Sequence, residues 1–208
     1  MQRPNAYLPI KRLMDVVFSA LAIVLLAPVF ALAIVGTKLT SPGPVFFRQV
    51  RGGRNGREFG VSKFRTMRSD RRPDPAELVP LSHPDITPFG RLLRRTKVDE
   101  MPQLFSVLVG DMSLIGPRPT LPDQVARYDD FQRQRLLVRP GITGLAQVNG
   151  NTALNWPERI KYDVYYVHHC SLKLDLMILF KTVWVIVRGE RRFARLFEQS
   201  PYAGEGRP

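Results

Sequence analysis

Residues Val16 to Val35, twenty in a row, contain no charge. As a helix, such a run can cross a hydrocarbon core of roughly 30 Å. Two details argue against a simple crossing. Pro28 lies inside the run and has no N–H to offer the Val24 carbonyl, so a continuous helix breaks or kinks there. Val16 to Ala27 is too short to cross alone, at about 18 Å of helix. Basic residues also flank both ends. Arg3, Lys11 and Arg12 precede the run; Lys38, Arg48, Arg51, Arg54, Arg57, Lys63, Arg65, Arg68, Arg71 and Arg72 follow it, against only Glu58 and Asp70. Positive flanks stay cytoplasmic. A re-entrant hairpin satisfies both flanks, while a single span kinked at Pro28 is the alternative the residues leave open. Gly36-Thr37-Lys38-Leu39 is not a small-residue cleavage site, so the segment reads as retained.

The rest of the 208-residue chain is long enough for one globular domain. Three parts are expected: a membrane segment over 1–39, a cytoplasmic catalytic domain over 40–190, and a polar, flexible tail over 191–208. Lys plus Arg is 31 against 18 Asp plus Glu, a formal net charge of +13. That excess points to an anionic partner: nucleic acid, acidic lipid or a phosphorylated substrate. Cys170 is alone, so no internal disulfide forms, and His83, His168 and His169 lack zinc spacing.

Ser41-Pro42-Gly43-Pro44 ends the membrane element. A strand is expected over Val45–Val50, a turn over Gly52–Gly56, and a returning strand over Glu58–Met67. Lys63 and Arg65, two apart, would share one strand face and could grip a phosphate. Residues 70–88 read as loop. Gly90–Lys97 reads as a short amphipathic helix with Arg91, Arg94 and Arg95 opposite Leu92 and Leu93, suited to a membrane surface. Gln103–Val109 is a helix with Pro102 in its first turn and Gly110 at its end. A single helix is expected over Leu121–Leu137, a tight loop over Pro140–Gly144 and a short strand over Leu145–Val148. Pro157 opens a helix bearing Arg159 and Asp163 at i, i+4, a surface pair or a contact to nucleotide or sugar. Leu176, Phe180, Val183 and Val187 repeat at helical spacing, which by default is a core face. Asp15, three residues after Arg12, suggests a local ion pair.

Asp99 and Glu100 are the candidate catalytic residues. Adjacent carboxylates usually cap a helix. These follow a basic stretch, precede a helix N-terminus, and share a chain with several potential phosphate ligands. One or two carboxylates plus substrate phosphates suit magnesium, an aspartate can attack phosphorus, and cations stabilise the transferring phosphoryl group. The residues alone reach a phosphoryl-transfer enzyme at a membrane surface. A nucleic-acid-binding protein fits the charge but shows no reading motif; a non-catalytic membrane scaffold is disfavoured by the intact Asp99, Glu100 and Arg118.

Ordered motifs over residues 9 to 190 carry a resemblance further. They are Lys11-Arg12-Leu13-Met14-Asp15, Ala27-Pro28, Ser41-Pro42-Gly43-Pro44-Val45-Phe46-Phe47, Lys63-Phe64-Arg65-Thr66-Met67, Asp99-Glu100-Met101-Pro102-Gln103-Leu104, Gly110 to Pro119, and Pro140-Gly141-Ile142-Thr143-Gly144. Together they resemble the bacterial sugar transferases, monotopic polyprenyl-phosphate phosphoglycosyltransferases that start glycan assembly in the bacterial inner membrane. The resemblance implies that Asp99 attacks the β-phosphate of a UDP-sugar, expels UMP, and passes the phosphosugar to polyprenyl phosphate. It implies Glu100 supporting Mg2+ or the second step, and Arg118 as a phosphate ligand. It favours the re-entrant hairpin, with the catalytic domain on the cytoplasmic face and Lys11, Arg12 and the Arg91 face against anionic phospholipid. Met101 departs from an expected leucine but conserves volume. Larger relatives carry extra spans, so a minimal form is expected here. The sugar, and a monomer or homodimer, are left open. The expected fold class is thus mixed α+β and helix-rich, with a re-entrant helix-break-helix membrane hairpin, a short β-hairpin and amphipathic interfacial helices.

Overall fold

The computed structural model describes residues 6–68 and 79–203. Arg3, Asp70, Arg71 and Arg72 of the charged flanks, and residues 204–208 of the tail, lie outside the described residues. The apolar run is divided between α1 (Tyr7–Leu25) and α2 (Ala27–Thr40), which bend by 61° at the break. Among the described residues no single helix is long and apolar enough to cross a membrane. Leu26 takes the bend, and Pro28 falls in the first turn of α2, where its missing N–H leaves nothing unpaired. The Leu26 N–H still reaches the Ala22 carbonyl at 2.9 Å and the Leu26 carbonyl accepts from Phe30 at 2.9 Å. The chain therefore turns without orphaning those backbone groups.

Three side chains latch α1 to the domain. Lys11 Nζ lies 2.6 Å from Asp175 Oδ2, and the two residues are only 8% and 3% exposed. Arg12 donates to the carbonyls of Val107 and Leu108 at 2.6 and 2.9 Å. Asp15 accepts from Ser113 Oγ and the Leu114 N–H. This corrects two expectations. Lys11 and Arg12 turn inward to protein acceptors rather than outward to lipid, and Asp15 pairs with a short strand far along the chain rather than with Arg12. The cause is helical spacing: Lys11, Asp15 and Ser19 form an i, i+4 line that faces the domain and is buried.

After the hairpin, β1 (Phe46–Gly52) and β2 (Glu58–Phe64) pair antiparallel, from Phe46 opposite Phe64 to Gly52 opposite Glu58. Asn55 takes the left-handed conformation in the connecting turn. The helix α3 (Pro88–Arg95) starts at Thr87, whose Oγ1 accepts the Gly90 N–H. Its faces differ from the expected ones. Leu93 is buried but Leu92 is exposed, and Arg94 turns inward to Thr66 Oγ1 and the Val79 carbonyl. Consecutive helical residues cannot share a face.

Next come α4 (Gln103–Val109), closed by Gly110 at φ 101°, and β3 (Ser113–Ile115). The single helix expected over 121–137 is broken into α5 (Pro122–Ala126), α6 (Asp130–Arg133) and a 3-10 turn over Gln134–Leu137. Tyr128 is the reason: its buried hydroxyl bonds Thr120 Oγ1 at 2.6 Å, while Asp129 caps α6 by accepting from Gln132. The short strand is also displaced. It is β4 (Gly141–Thr143), parallel to β3, and residues 145–148 form α7 (Leu145–Val148) instead. Gly141 makes that pairing possible, since a Cβ there would lie 2.1 Å from the Gly116 nitrogen.

The last two α-helices among the described residues are α8 (Trp156–His169) and α9 (Leu172–Arg188). Tyr162, Tyr166, Leu145, Val148 and Ile178 form the centre of the main core. The expected core face of α9 is instead its outer face. Phe180 and Val187 are 69% and 73% exposed, and Asp175, Ile178 and Val185 point inward. Leu13, Val17, Leu21 and Val24 of α1 and Leu32, Val35 and Leu39 of α2 are exposed as well. The tail is more ordered than expected through residue 203: Phe197 and Tyr202 pack edge-on against Tyr162. The described residues are helix-rich mixed α/β with a short antiparallel hairpin, as the sequence suggested.

Candidate active site

Asp99 and Glu100 lie in a 3-10 turn, Val98–Glu100, between α3 and α4. Lys97 enters that turn with φ at 59°, a left-handed conformation costing a non-glycine residue about 1–2 kcal/mol. The reversal sends the two carboxylates to different surroundings. Glu100 Oε1 accepts from Lys63 Nζ at 2.6 Å and from Arg118 Nη2 at 2.6 Å, and Oε2 accepts from Arg118 Nη1 at 3.3 Å. Lys63 comes from the end of β2. Arg118 comes from the loop after β3, where Pro117 and Pro119 stiffen the chain on either side of it. A guanidinium fork on a carboxylate, backed by an ammonium, is a strong charge-assisted arrangement.

Asp99 is buried, and its Oδ1 has no hydrogen-bond partner. Burial, reinforced by the neighbouring Glu100 charge, pushes its pKa above the ordinary aspartate value; Lys63, Lys97 and Arg94 pull it down without cancelling that rise. Glu100 goes the other way. Burial alone would raise it, but Arg118 and Lys63 hold it well below the usual carboxylate range. Desolvation lowers Lys63 in spite of Glu100, while Glu100 pushes Arg118 further above its ordinary value. Adjacent carboxylates with diverging environments suit different tasks. Glu100 is a fixed anion that holds two cations in place. Asp99 is a desolvated carboxyl whose buried Oδ1 has no hydrogen-bond partner.

A cleft of about 250 Å³ opens beside Glu100, lined by Lys97, Glu100 and Arg118 together with the apolar Met101, Leu104 and Val185; Asp99 lies behind this lining. Charged and apolar walls in one cleft suit a ligand with both kinds of surface.

The structure thus gathers Asp99, Glu100, Lys63 and Arg118 into one cluster. Arg65 does not join Lys63 on a shared face, because β2 ends at Phe64. Arg65 is buried and donates through Nη2 to the Ser41 carbonyl at 2.6 Å. Asp163 is buried and ion-paired with Arg135 at 2.6 Å, rather than forming the expected surface pair with Arg159. Arg159 lies over the Trp156 ring, 5.5 Å from its centroid. Arg94, Lys97 and Arg135, which also shape the site, were not anticipated. Arg135 bonds Asp163, 28 residues away, and no local pattern reports such a partner.

Comparison with known proteins identifies the family. The sequence profile of the family described as bacterial sugar transferase matches residues 6–189. The chain is 46% identical over 161 residues to the uncharacterized sugar transferase EpsL of Bacillus subtilis, covering 77% of this chain and 78% of that one. It is 42% identical over 189 residues to the UDP-N-acetylgalactosamine-undecaprenyl-phosphate N-acetylgalactosaminephosphotransferase of Aeromonas hydrophila, covering 88% of this chain and 45% of that one. It is 42% identical over 199 residues to the UDP-glucose:undecaprenyl-phosphate glucose-1-phosphate transferase of Xanthomonas campestris, covering 91% and 41%. The chain therefore spans most of the Bacillus relative but less than half the length of the other two.

Proposed function

The chain belongs to the bacterial sugar transferase family, and we propose that it transfers a sugar-1-phosphate from a UDP-sugar to polyprenyl phosphate. The observation that carries this reading is the unpartnered Oδ1 of buried Asp99 beside a Glu100 already held by Lys63 and Arg118. Relatives named for UDP-sugar:undecaprenyl-phosphate transfer support the substrate class.

In the mechanism, Asp99 Oδ1 attacks the β-phosphorus of the donor. The bond between that phosphorus and the bridging oxygen breaks, and UMP leaves with the electron pair. A phosphosugar remains on Asp99. A phosphate oxygen of polyprenyl phosphate then attacks the same phosphorus, the bond to Asp99 breaks, and polyprenyl-diphosphate-sugar is released. Arg118 and Lys63 bring positive charge to the place where phosphoryl oxygens gather charge. Desolvation favours Asp99 as nucleophile, since its carboxylate is not quenched by a hydrogen bond at Oδ1.

The residues fit a magnesium ion. Glu100 Oε2 accepts only one long bond, at 3.3 Å, which leaves it room for a ligand, and the Asp99 carboxylate has a second oxygen beside the attacking Oδ1. Among the described residues no three His, Cys, Asp or Glu side chains gather, so substrate phosphates would complete the shell. Asp99 and Glu100 would hold the ion, which when bound supplies charge neutralisation for the diphosphate.

The bent pair of α1 and α2 would enter the cytoplasmic leaflet of the inner membrane and return, leaving both ends in the cytoplasm. Its exposed apolar residues, and Phe180, Val183, Trp184 and Val187 on α9, support two surfaces in contact with lipid. That seating brings Asp99 to headgroup depth, where the acceptor phosphate lies. UMP release from a panel of UDP-sugars, with magnesium and polyprenyl phosphate, tests the reading. Release with one or more sugars, dependent on the acceptor for turnover, supports it. Absence of release across the panel contradicts it.

A further inference from the structure

Arg118 depends on something behind it. Its loop runs Gly116-Pro117-Arg118-Pro119-Thr120, and the two prolines remove two N–H donors. The loop must therefore be held from outside through its carbonyls. Gly141 N–H donates to the Pro117 carbonyl at 2.9 Å, and Gly52 N–H donates to the Thr120 carbonyl at 2.8 Å. The carbonyl of Arg118 itself is held by a side chain: Arg135 Nη2, at 2.9 Å.

Arg135 is buried from every direction. Nη2 also donates to Asp163 Oδ2 at 2.6 Å, and Nη1 donates to Tyr128 Oη at 2.6 Å. Tyr128 Oη bonds in turn to Thr120 Oγ1, on the same loop. The guanidinium carbon lies 5.1 Å from the Trp156 ring centroid. A single planar group thus fixes the Arg118 carbonyl directly and Thr120 through Tyr128, while Asp163 on α8 fixes the group. Neither Arg135 nor Asp163 lines the cleft beside Glu100.

We propose that Arg135, oriented by Asp163 and Tyr128, is a positioning residue for the active site, which sets the reach of Arg118 onto Glu100 beside Asp99. The proposal rests on reading the Asp99–Glu100 pair as the reacting centre. A buried ion pair is weak as a source of stability, and an apolar substitute often serves as well. Here the guanidinium spends one of its donors on the main chain of the residue that grips Glu100. That use demands the planar fork, which lysine lacks. It also gives Asp163 a role through Arg135 rather than by touching nucleotide or sugar.

The test is a double-mutant cycle in the full chain, read by acceptor-dependent UMP release. Arg135→Lys should lower kcat at least tenfold while the KM for polyprenyl phosphate stays within twofold. In an Arg118→Lys background the same change should add less than a threefold loss, because the group being positioned is already impaired. A merely structural role predicts equal losses in both backgrounds and a kcat that follows the folded fraction; either result overturns the proposal. If Arg135→Lys does not fold, Tyr128→Phe takes its place in the cycle. It should give a smaller kcat loss that is likewise absent in the Arg118→Lys background, and additivity there counts against the proposal equally. No turnover by the unaltered protein with any UDP-sugar would sink the catalytic reading itself, whereas turnover with an additive cycle sinks only the positioning role.

Discussion

Lys11→Met tests whether the apolar hairpin is bolted to the catalytic domain or only laid against it. The substitution keeps most of the apolar stem and deletes the ammonium. Asp175 would stay buried with its cation gone, retaining only the hydroxyls of Tyr7 and Tyr166, each at 2.7 Å. Removing one partner of a buried pair costs about 3–5 kcal/mol. The two tyrosines still solvate the carboxylate, so the lower end, about 3 kcal/mol, is expected. That is a large share of a domain stability of about 5–15 kcal/mol. Adding Asp175→Asn removes the stranded charge; its amide oxygen accepts from one hydroxyl and its NH2 donates to the other, whose hydrogen rotates away, so the double variant should return to within about 1 kcal/mol of the unaltered chain. Pulse proteolysis across a urea series on detergent-solubilised protein reads both values. A Lys11→Met variant within about 1 kcal/mol of the parent, or a double variant no better than the single, would refute the reasoning.

Other consequences are open to direct measurement. Asp99 must be ionised to attack, and its folded pKa is raised by burial and by Glu100. Activity should therefore fall, as pH drops, at a higher pH than an ordinary aspartate would give. Glu100→Gln removes one cause of that rise, so the acid limb of the pH–rate profile should move to lower pH while the rate falls; an unmoved limb argues against the coupling. The Glu100 pKa is depressed in the folded state, so its share of stability is present above the ordinary glutamate range and is lost as pH falls through the folded value. Unfolding midpoints of the parent and Glu100→Gln should then differ most near neutral pH and converge in acid. Single cysteines at Ala6 and Thr40 should both be labelled from the cytoplasmic side of sealed vesicles, and labelling from opposite sides would favour a kinked span. A polarity-sensitive probe on a cysteine at Val187, on the exposed face of α9, should report an apolar surround in vesicles; a fully aqueous spectrum would mean that this face does not meet lipid.

Much of this site was legible in the sequence because its parts are local. Pro28 marked the break, Gly110 the end of α4, and Asp99-Glu100-Met101-Pro102 the turn before it. What the sequence hid depends on long-range partners. Helical periodicity across 121–137 could not report that Tyr128 would leave the helix to bond Thr120 and Arg135. The i, i+4 spacing of Arg159 and Asp163 was true to the helix but silent about Arg135, which reaches Asp163 first. The apolar residues of α9 cover more than one face, so periodicity alone could not say which side is core. Lys11, Arg12 and Asp15 looked like a charged surface flank because their partners lie far along the chain.

The central claim is that a phosphosugar forms on Asp99. Protein incubated with a UDP-sugar labelled in the sugar, with magnesium and without polyprenyl phosphate, should retain label through denaturing gel electrophoresis. The label should map to the peptide containing Asp99 and be discharged when polyprenyl phosphate is added before denaturation. Asp99→Asn should bind no label and turn over no substrate. Turnover by Asp99→Asn at the parent rate, or label retained on that variant, would contradict the account.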